Sequence, residues 1–266
     1  MGNIKRRSQL RRIVVVATAL AVLMAAASAF AAAGGINSYT ATLKFSPNKA
    51  NTALGFTQKY VAGGIGGNRT APLTNIKTVI YGMTSDGKDF PTCSAAKISA
   101  NGDDTVCQKG ALVATGSITA ILGPANDQSA SAPSQLPCNP LLDVWNAGQG
   151  KVVYFFVDKA PAHTCAGGAI QTGGVAPFIG TIKTVGKNLV MNTPIPTYVS
   201  FPLTGIEGSL TSETLTWKNL SSGTHHYGAS VACKSGSRPY SVTFTAEAGP
   251  GGAPSQTTVN GAQKCS

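Results

Sequence analysis

The sequence predicts an all-β protein: an antiparallel β-sandwich, jelly-roll-like or Ig-like, that is braced by disulfide bonds. Short apolar or alternating runs are separated by clusters of Gly, Pro, Asn and Ser, which is the pattern of strands joined by turns. Helical periodicity is nearly absent after residue 33. Six cysteines, an even number, all follow a segment with the features of an export signal, and exported proteins commonly oxidise such cysteines to disulfides.

Ten strands are predicted, and the clearest pair is a hairpin within 175–193 that turns at residues 186–188. The run from Val152 to Val157 is apolar without a break, as expected of a strand that is buried on both faces. The predicted strands are 38–46, 74–82, 111–122, 151–158, 175–185, 188–193, 198–204, 208–217, 226–234 and 240–248.

Residues 1–31 are predicted to be a signal peptide. An apolar run from Ile13 to Met24 precedes the small residues Ala29 and Ala31, which signal peptidase requires. An uncleaved membrane anchor is the alternative, because the apolar segment is almost long enough to span a bilayer. Its alanine-rich end favours cleavage, so we expect no stable membrane insertion afterwards. The basic residues that precede the apolar run are Lys5, Arg6, Arg7, Arg11 and Arg12.

The remaining residues, 32–266, are predicted to form a single β-sandwich domain. A polar segment that contains Pro and Ser, residues 123–137, is the one plausible linker. If this segment is a linker, the alternative is two small β domains at 32–122 and 138–266. We favour a long surface loop between strands of one domain.

Disulfide bonds between sequence neighbours are the simplest use of the six cysteines, although six cysteines allow 15 pairings. Each bond would stabilise the fold by about 3 to 4 kcal/mol by restricting the unfolded chain. A zinc cluster is the alternative, but no C-x-x-C motif is present and the cysteine spacings match no zinc module. The predicted pairs are Cys93–Cys107, Cys138–Cys165 and Cys233–Cys265.

The net charge of the chain and its distribution argue against nucleic acid as a partner and are compatible with an anionic polymer. After residues 1–31, sixteen basic and ten acidic residues remain, a net charge of +6. The basic residues are scattered singly and form no patch with aromatic residues, so we expect no binding to nucleic acid. Long-range attraction to an anionic cell-wall polymer is compatible with this charge, although a role in solubility explains it equally well.

Two polar loops contain the densest groups of oxygen ligands in the chain, and extracellular Ca²⁺ sites often form in such loops. Neither loop matches an EF-hand, and Asx-Gly pairs are ordinary turn residues. We therefore expect no metal and no other cofactor. The weak calcium candidates are Asp86, Asp89, Asn101, Asp103 and Asp104.

Two patterns that resemble catalytic motifs have simpler explanations. Residues 228–232 nearly match the G-x-S-x-G nucleophile elbow around Ser230, but no helix is predicted to follow, as that motif requires. His225 and His226 are adjacent, so in a strand their side chains point to opposite faces and cannot bind one ion.

The motif Phe90-Pro91-Thr92-Cys93, then Cys107 and the run at 110–116, resembles uncharacterised secreted proteins of actinobacteria. In those proteins an F-P-x-C segment leads to a cysteine and a V-G-T-G-like strand. Residues 239–244, between two cysteines near the end of the chain, are also similar. This chain departs from the pattern with Ala114 in place of glycine. The resemblance implies export and a β-rich fold, and it implies no activity.

We expect a secreted or cell-envelope-associated protein without catalytic activity, with a binding or structural role and a polymer, small ligand or protein as its partner. No catalytic or cofactor-binding residues can be assigned. The alternative is a secreted, glycosidase-like hydrolase whose acidic residues converge only in the fold. Glu207 and Glu213 would share one face of a continuous strand, but Gly208 indicates a break between them.

Overall fold

The predicted class is confirmed by a computed structural model that describes residues 36–159 and 161–266. In these residues the chain consists mainly of antiparallel strands, with short helices and three disulfide bonds. The predicted signal peptide, residues 1–31, lies outside the described residues. None of the helices in the described part is long and apolar enough to cross a membrane.

Seventeen strands form in the described residues, together with two α-helices and three 3-10 helices. The strands are β1 Asn37–Ser46, β2 Thr52–Ala53, β3 Gly55–Gly64, β4 Leu73–Tyr81, β5 Met83–Ser85, β6 Leu112–Pro124, β7 Leu136–Cys138, β8 Leu141–Gly148, β9 Lys151–Val157, β10 Phe178–Val185, β11 Asn188–Pro194, β12 Ile206–Trp217, β13 Ser221–Ser222, β14 His225–His226, β15 Gly228–Ser230, β16 Ser237–Glu247 and β17 Pro254–Lys264. The helices are α1 Ala95–Asn101, α2 Thr197–Ser200, and the 3-10 helices Lys109–Ala111, Ala166–Gly168 and Thr172–Gly174.

Twelve of the described strands form one antiparallel sheet that curls until its edges, β1 and β17, meet. The order is β1-β3-β12-β6-β8-β9-β10-β11-β4-β16-β17, with β7 paired to β6. At the meeting edges the N–H of Phe45 donates to Oε1 of Gln263 at 2.7 Å. Opposite halves of the sheet therefore face each other across one interior, where the hydroxyls of Tyr60 and Thr78 lie 2.9 Å apart.

Alternating burial explains why these strands enclose a core. In β16 every second residue is buried, among them Val242 and Phe244, because side chains alternate between the two faces of a strand. The predicted hairpin is present as β10 and β11, with a two-residue turn at Gly186-Lys187. Gly186 has a φ of 59°, a backbone conformation that glycine adopts without strain.

Strand β9 is buried on both faces, as its unbroken apolar sequence predicts. Tyr154 and Phe156 face the interior, whereas Val153 and Phe155 pack under an outer cover that contains α1. The disulfide Cys93–Cys107 lies in this cover. The cover excludes water from the outer face of β9.

Three of the longer strands, β3, β8 and β17, were not predicted from the sequence, and neither were the short strands β2, β5, β7 and β13. In β3 the alternation places Phe56, Gln58 and Tyr60 on the inner face, and the buried polar Gln58 interrupts an otherwise apolar pattern. In β17 the inner face is mostly polar or small, with Val259 as its fully buried apolar residue.

Three further expectations need correction. The strand expected at 198–204 is wrong: α2 forms instead, after Pro196, whose ring fixes φ at −64° and leaves no N–H to pair in a sheet. The strand expected at 226–234 is wrong as one element and is replaced by β14 and β15. A helix was not expected, yet α1 forms because Ser94 caps its N-terminus by accepting from the Lys97 N–H, and Gly102 ends it at a φ of 77°.

Strands from both sides of segment 123–137 alternate within the sheet, with β12 between β3 and β6, and β4 between β11 and β16. Residues 125–135 of this segment follow the surface as a loop, and its two ends belong to β6 and β7. The N–H of Arg69 donates to the carbonyl of Gln128 at 2.7 Å, which holds this loop against the sheet.

The structure pairs Cys93 with Cys107, Cys138 with Cys165 and Cys233 with Cys265, which is the pairing of sequence neighbours. The third bond lies at what we call the closed end of the interior, where β1, β4 and β12 finish and β3 and β16 begin. Large aromatic rings fill this end, and Phe56 stacks on Trp217 at 5.7 Å between ring centroids.

A buried arginine seals the closed end. Arg238 is fully buried, and its guanidinium lies 5.5 Å above the ring of Phe45. The same guanidinium donates to chain segments that are distant in sequence, so it ties the end together. The acceptors are the carbonyl of Tyr81 at 3.0 Å, the carbonyl of Gly82 at 2.6 Å, Oδ1 of Asn48 at 2.9 Å and Oγ of Ser230.

Candidate functional site

An apolar cavity of about 150 Å³ lies at the other end of the interior, which we call the open end. Here β6, β9 and β11 finish and β4, β8, β10 and β12 begin. Ile118, Leu142, Phe178 and Leu210 line the cavity. Because neighbouring strands run in opposite directions, both the first and the last residues of strands contribute to one wall.

Aromatic rings form one side of the cavity. Tyr154 stacks on Phe178 with 5.1 Å between centroids and an interplanar angle of 12°. Phe156 contacts the same Phe178 ring at 5.9 Å. A flat ligand group would therefore find ring faces and edges to pack against.

Small residues leave space on the side of the cavity that is opposite the aromatic rings. Ala120 lines the cavity from β6, and Gly208 lines it from β12. A Cβ atom at Gly208 would lie 2.8 Å from the carbonyl oxygen of Val199, so glycine is required where α2 packs against β12. Tyr198 of α2 also lines the cavity and is 44% exposed, which places it at the opening.

A single carboxyl group, that of Glu213, lies among the residues that line the cavity. Strand β12 carries a β-bulge at Thr211, where the pairing with β6 shifts by one residue. A bulge reverses the side to which the following residues point. Glu213 therefore faces inward together with Leu210, and it is only 8% exposed.

Hydrogen bonds orient Glu213 from one side. Its Oε1 accepts from Nε2 of Gln58 at 2.5 Å, and Oε1 of Gln58 accepts from the Nε1–H of Trp217 at 3.0 Å. Burial raises the pKa of Glu213 to about 7, while the hydrogen bond from Gln58 opposes this rise. The carboxyl group thus titrates near neutral pH.

A loop that is held by a disulfide and by hydrogen bonds covers the side of the cavity next to β9. The disulfide Cys138–Cys165 contributes both of its residues to the cavity lining. Further along, Asp158 accepts from the Gly173 N–H at 2.9 Å and from the Thr172 hydroxyl. These contacts fix the residues that precede β10.

A larger, more polar cleft of about 680 Å³ lies beside the open end. Its charged residues, Arg69 and Glu207, form a buried salt bridge of 2.6 Å, and Gln128 also donates to Glu207 at 3.1 Å. These two charges pair with each other, although Nε of Arg69 has no hydrogen-bond partner in the described residues. The apolar cavity, whose lining includes a buried carboxyl group, is the better candidate site.

The two predicted acidic residues of β12 are not brought together. Glu207 points to the cleft and Glu213 points into the cavity, since the bulge lies between them. The break in the strand falls at Thr211, not at Gly208 as the sequence suggested. A glycosidase-like pair from these two residues is not formed.

The calcium candidates lie in two loops, and most of their carboxylates have protein partners. Asp86 pairs with Lys88 at 3.5 Å, and Asp89 pairs with His225 at 2.9 Å. Asp103 accepts from the amide of Asn101, and hydrogen bonds from Thr105 lower its pKa. Asp104 accepts from the indole N–H of Trp145 at 3.1 Å. In the described part of the chain no group of three or more His, Cys, Asp or Glu residues is placed to hold a metal ion.

Asp104 also lies close to Asp143 of β8 on the outer face of the sheet. Burial raises the pKa of Asp143 to about 6, and the negative charge of Asp104 adds to this rise. The two carboxyl groups lie where the outer cover meets the sheet.

The remaining motif residues have structural partners. His226 lies 2.8 Å from the hydroxyl of Ser221, whereas His225 contacts Asp89, so the adjacent histidines are not directed to one site. Ser230 is buried in β15 and accepts from Arg238. No nucleophile elbow is present at this serine.

Sequence reasoning considered Glu213 but missed Gln58. Their shared signal is a polar residue at an inward position of an otherwise apolar strand face. No strand was predicted around Gln58, and for Glu213 strict alternation predicts the face of Glu207 instead.

No protein-family model, curated protein or solved structure matches this chain. Its class is defined by what the structure contains: an antiparallel, disulfide-bonded sheet that encloses a cavity with one carboxyl group.

Proposed function

We propose that this protein is an exported, non-catalytic binding protein that holds a small, largely apolar molecule at the open end of its sheet. The observation that supports the proposal is the cavity of about 150 Å³ with its apolar lining. A cavity of this size, lined by apolar side chains, accommodates one benzene-sized group.

The energetics favour occupation of the cavity. Protein interiors are normally close-packed, and an unfilled void destabilises a fold by about 24 cal/mol per Å³. For the volume observed here this amounts to roughly 3.5 kcal/mol. A ligand that fills the space restores the lost packing contacts and removes its own apolar surface from water.

A binding role is supported over hydrolysis by the polar groups present. Hydrolysis of a glycosidic bond by the usual two-carboxylate route needs a second acid near the first. Glu213 is the one carboxyl group among the residues that line the cavity, and the Asp104–Asp143 pair lies on the outer face. We therefore assign the cavity to binding.

Export is part of the proposal and rests on the sequence features of residues 1–31 together with the disulfides. Disulfide bonds persist in oxidising compartments, outside the cytosol. The location follows as secreted or envelope-associated, with a small molecule as the proposed partner instead of a cell-wall polymer.

Calorimetric titration with toluene tests the proposal. We expect a Kd of about 0.1 to 1 mM for the native protein, which is typical of a ligand with so few atoms. Ala120→Phe places a ring in the cavity and should weaken binding at least tenfold. Thr119→Phe places the same ring on the opposite, exposed face of β6 and should change the affinity less than threefold. Absence of toluene binding to the native protein would overturn the proposal.

A further inference from the structure

We infer that the ligand carries one positively charged amine and that the carboxylate of Glu213 binds this amine. The inference rests on the proposed function, because it specifies the chemistry of the molecule that enters the same cavity. It follows from three properties of the polar groups around the cavity.

The first property is that the hydroxyl groups of the lining already have partners in the protein. The Tyr154 hydroxyl lies 2.8 Å from Oγ1 of Thr193. Ser200 donates to the carbonyl of Leu73, and Thr172 donates to Asp158. The hydroxyls are thus less available to a ligand than the carboxyl group of Glu213.

The second property is the orientation of the Gln58 amide. The indole N–H of Trp217 is a donor only, so the atom of Gln58 that faces it must be the carbonyl oxygen. The amide nitrogen of Gln58 therefore faces Glu213 and donates to its Oε1. A donor in this position stabilises the carboxylate form of the side chain.

The other oxygen of Glu213, Oε2, makes no hydrogen bond to any residue in the described part of the chain. This oxygen belongs to a side chain that is 92% buried and that lines the cavity. A largely buried carboxylate whose one hydrogen-bond donor is Gln58 is disfavoured relative to the protonated acid. A ligand that donates a hydrogen bond to Oε2 would supply the second donor that this carboxylate lacks.

The third property is the absence of a neutralising charge. The residues that line the cavity include no Lys, Arg or His. The titratable groups that face Glu213 are the phenols of Tyr60 on β3 and Tyr154 on β9, and burial raises the pKa of both, so they stay neutral at physiological pH. A cation supplied by the ligand would compensate the charge of the carboxylate form, which the lining itself does not do.

An ammonium group satisfies both requirements, because it donates hydrogen bonds and carries the opposite charge. Its apolar part would pack against the stacked rings of Tyr154 and Phe178, whose faces also attract cations. A neutral alcohol would supply a hydrogen bond and leave the charge of Glu213 uncompensated.

Titration with benzylamine, benzyl alcohol and toluene tests this inference, because the three molecules share one ring. At pH 8 we expect benzylamine to bind the native protein at least tenfold more tightly than toluene, with benzyl alcohol between them. In Glu213→Gln the ratio of benzylamine to toluene affinity should fall to within threefold of one. In Glu247→Gln, a matched substitution outside the cavity lining, the ratio should keep its native value.

The pH dependence gives a second readout. Benzylamine stays protonated between pH 5.5 and pH 8, while the ionised fraction of a group with a pKa of about 7 falls about thirtyfold over this range. Benzylamine binding to the native protein should weaken by about that factor at pH 5.5. A neutral ligand that accepts a hydrogen bond from protonated Glu213 would show the opposite trend.

The outcomes separate the inference from the proposed function. If toluene binds but benzylamine binds no more tightly at pH 8, or if its advantage persists in Glu213→Gln, the amine inference is wrong and the cavity assignment stands. Tighter binding of benzyl alcohol at pH 5.5 than at pH 8 would also overturn the inference. If toluene does not bind to the native protein, the proposed function itself fails.

Discussion

The two ends of the interior are built from the same strands and differ in how completely their side chains fill the space. At the closed end the rings of Phe45, Phe56 and Trp217 pack together, and Arg238 ties them to neighbouring loops. At the open end Ala120 and Gly208 leave a cavity beside Tyr154 and Phe178. The comparison indicates that the closed end supplies stability and that the open end supplies a binding site.

The buried polar groups differ in the same way. Arg238 at the closed end has oxygen acceptors from four different residues, and the sulfur of Cys265 is a fifth acceptor. Glu213 at the open end has one donor, Gln58. A buried polar group that forms all of its hydrogen bonds rigidifies its surroundings. A buried polar group that forms only some of them destabilises the fold unless a ligand supplies the missing hydrogen bonds.

The largest effect is expected at the closed end. Arg238→Ala removes hydrogen bonds to two buried carbonyl groups and should lower the free energy of unfolding by about 4 kcal/mol. Asn48→Ala removes one acceptor of Arg238 and the hydrogen bond from Nδ2 of Asn48 to the Lys264 carbonyl, so it should cost about 2 kcal/mol. Denaturation in urea measures both, with Lys44→Ala on the exposed face of β1 as control. A loss below 1 kcal/mol for Arg238→Ala would refute the assigned role of the closed end.

Two disulfide variants compare the ends directly. Cys138→Ser/Cys165→Ser and Cys233→Ser/Cys265→Ser open loops of similar length, with sequence separations of 27 and 32, so each should lose about 3.5 kcal/mol. Only the first pair lines the cavity. Toluene affinity should fall about tenfold in the first variant and stay within threefold in the second. If both variants lowered the toluene affinity equally, the assignment of binding to the open end and stability to the closed end would be contradicted.

Glu213→Gln should stabilise the protein at high pH. The pKa of Glu213 in the fold, about 7, lies above its ordinary value of 4.5, so the native state binds the proton more tightly than the unfolded chain. Stability therefore falls as pH rises from about 4.5 to 7 and stays low above that range. At pH 9 the variant should be about 3 kcal/mol more stable than the native protein, and at pH 4 the two should be equal. Thermal unfolding across pH measures the difference; a variant that is less stable at pH 9 would contradict the account.

A smaller pH effect is expected on the outer face of the sheet. The pKa of Asp143, about 6, is also raised above its ordinary value of 3.8, so its ionisation lowers stability between about pH 4 and 6. Asp143→Asn should add about 1 kcal/mol at pH 7, since solvent screens this partly exposed pair. Toluene affinity should be unaffected, which distinguishes this effect from that of Glu213. A fall in stability at pH 7 would indicate that the Asp104–Asp143 pair stabilises the cover by another route.

Much of the fold was predictable because several strands show clean alternation. Strands β1 and β16 bury every second residue throughout, and β4, β10 and β11 do so over part of their length, so these sequences indicate which face is inside. The pairing of neighbouring cysteines was also favoured from their order in the chain. Strand β3 was missed because the polar Gln58 occupies an inner position. In the fold the amide of Gln58 donates a hydrogen bond to Glu213, which accounts for a polar residue on this face.

The site could not be predicted to the same degree. The inward direction of Glu213 depends on the bulge at Thr211, which no turn residue marks in the sequence. The size of the cavity depends on how far the sheet curls and on how closely α2 approaches Gly208. Both are properties of long-range pairing, not of any local pattern.

The most direct test of the central claim is a methyl NMR titration of the native protein with toluene. We predict that shifts are confined to methyl groups of the open end, such as those of Ile118, Leu142 and Leu210. Methyl groups of the closed end, such as those of Leu43 and Leu54, should not move. Shifts spread over both ends, or restricted to the closed end, would contradict the account.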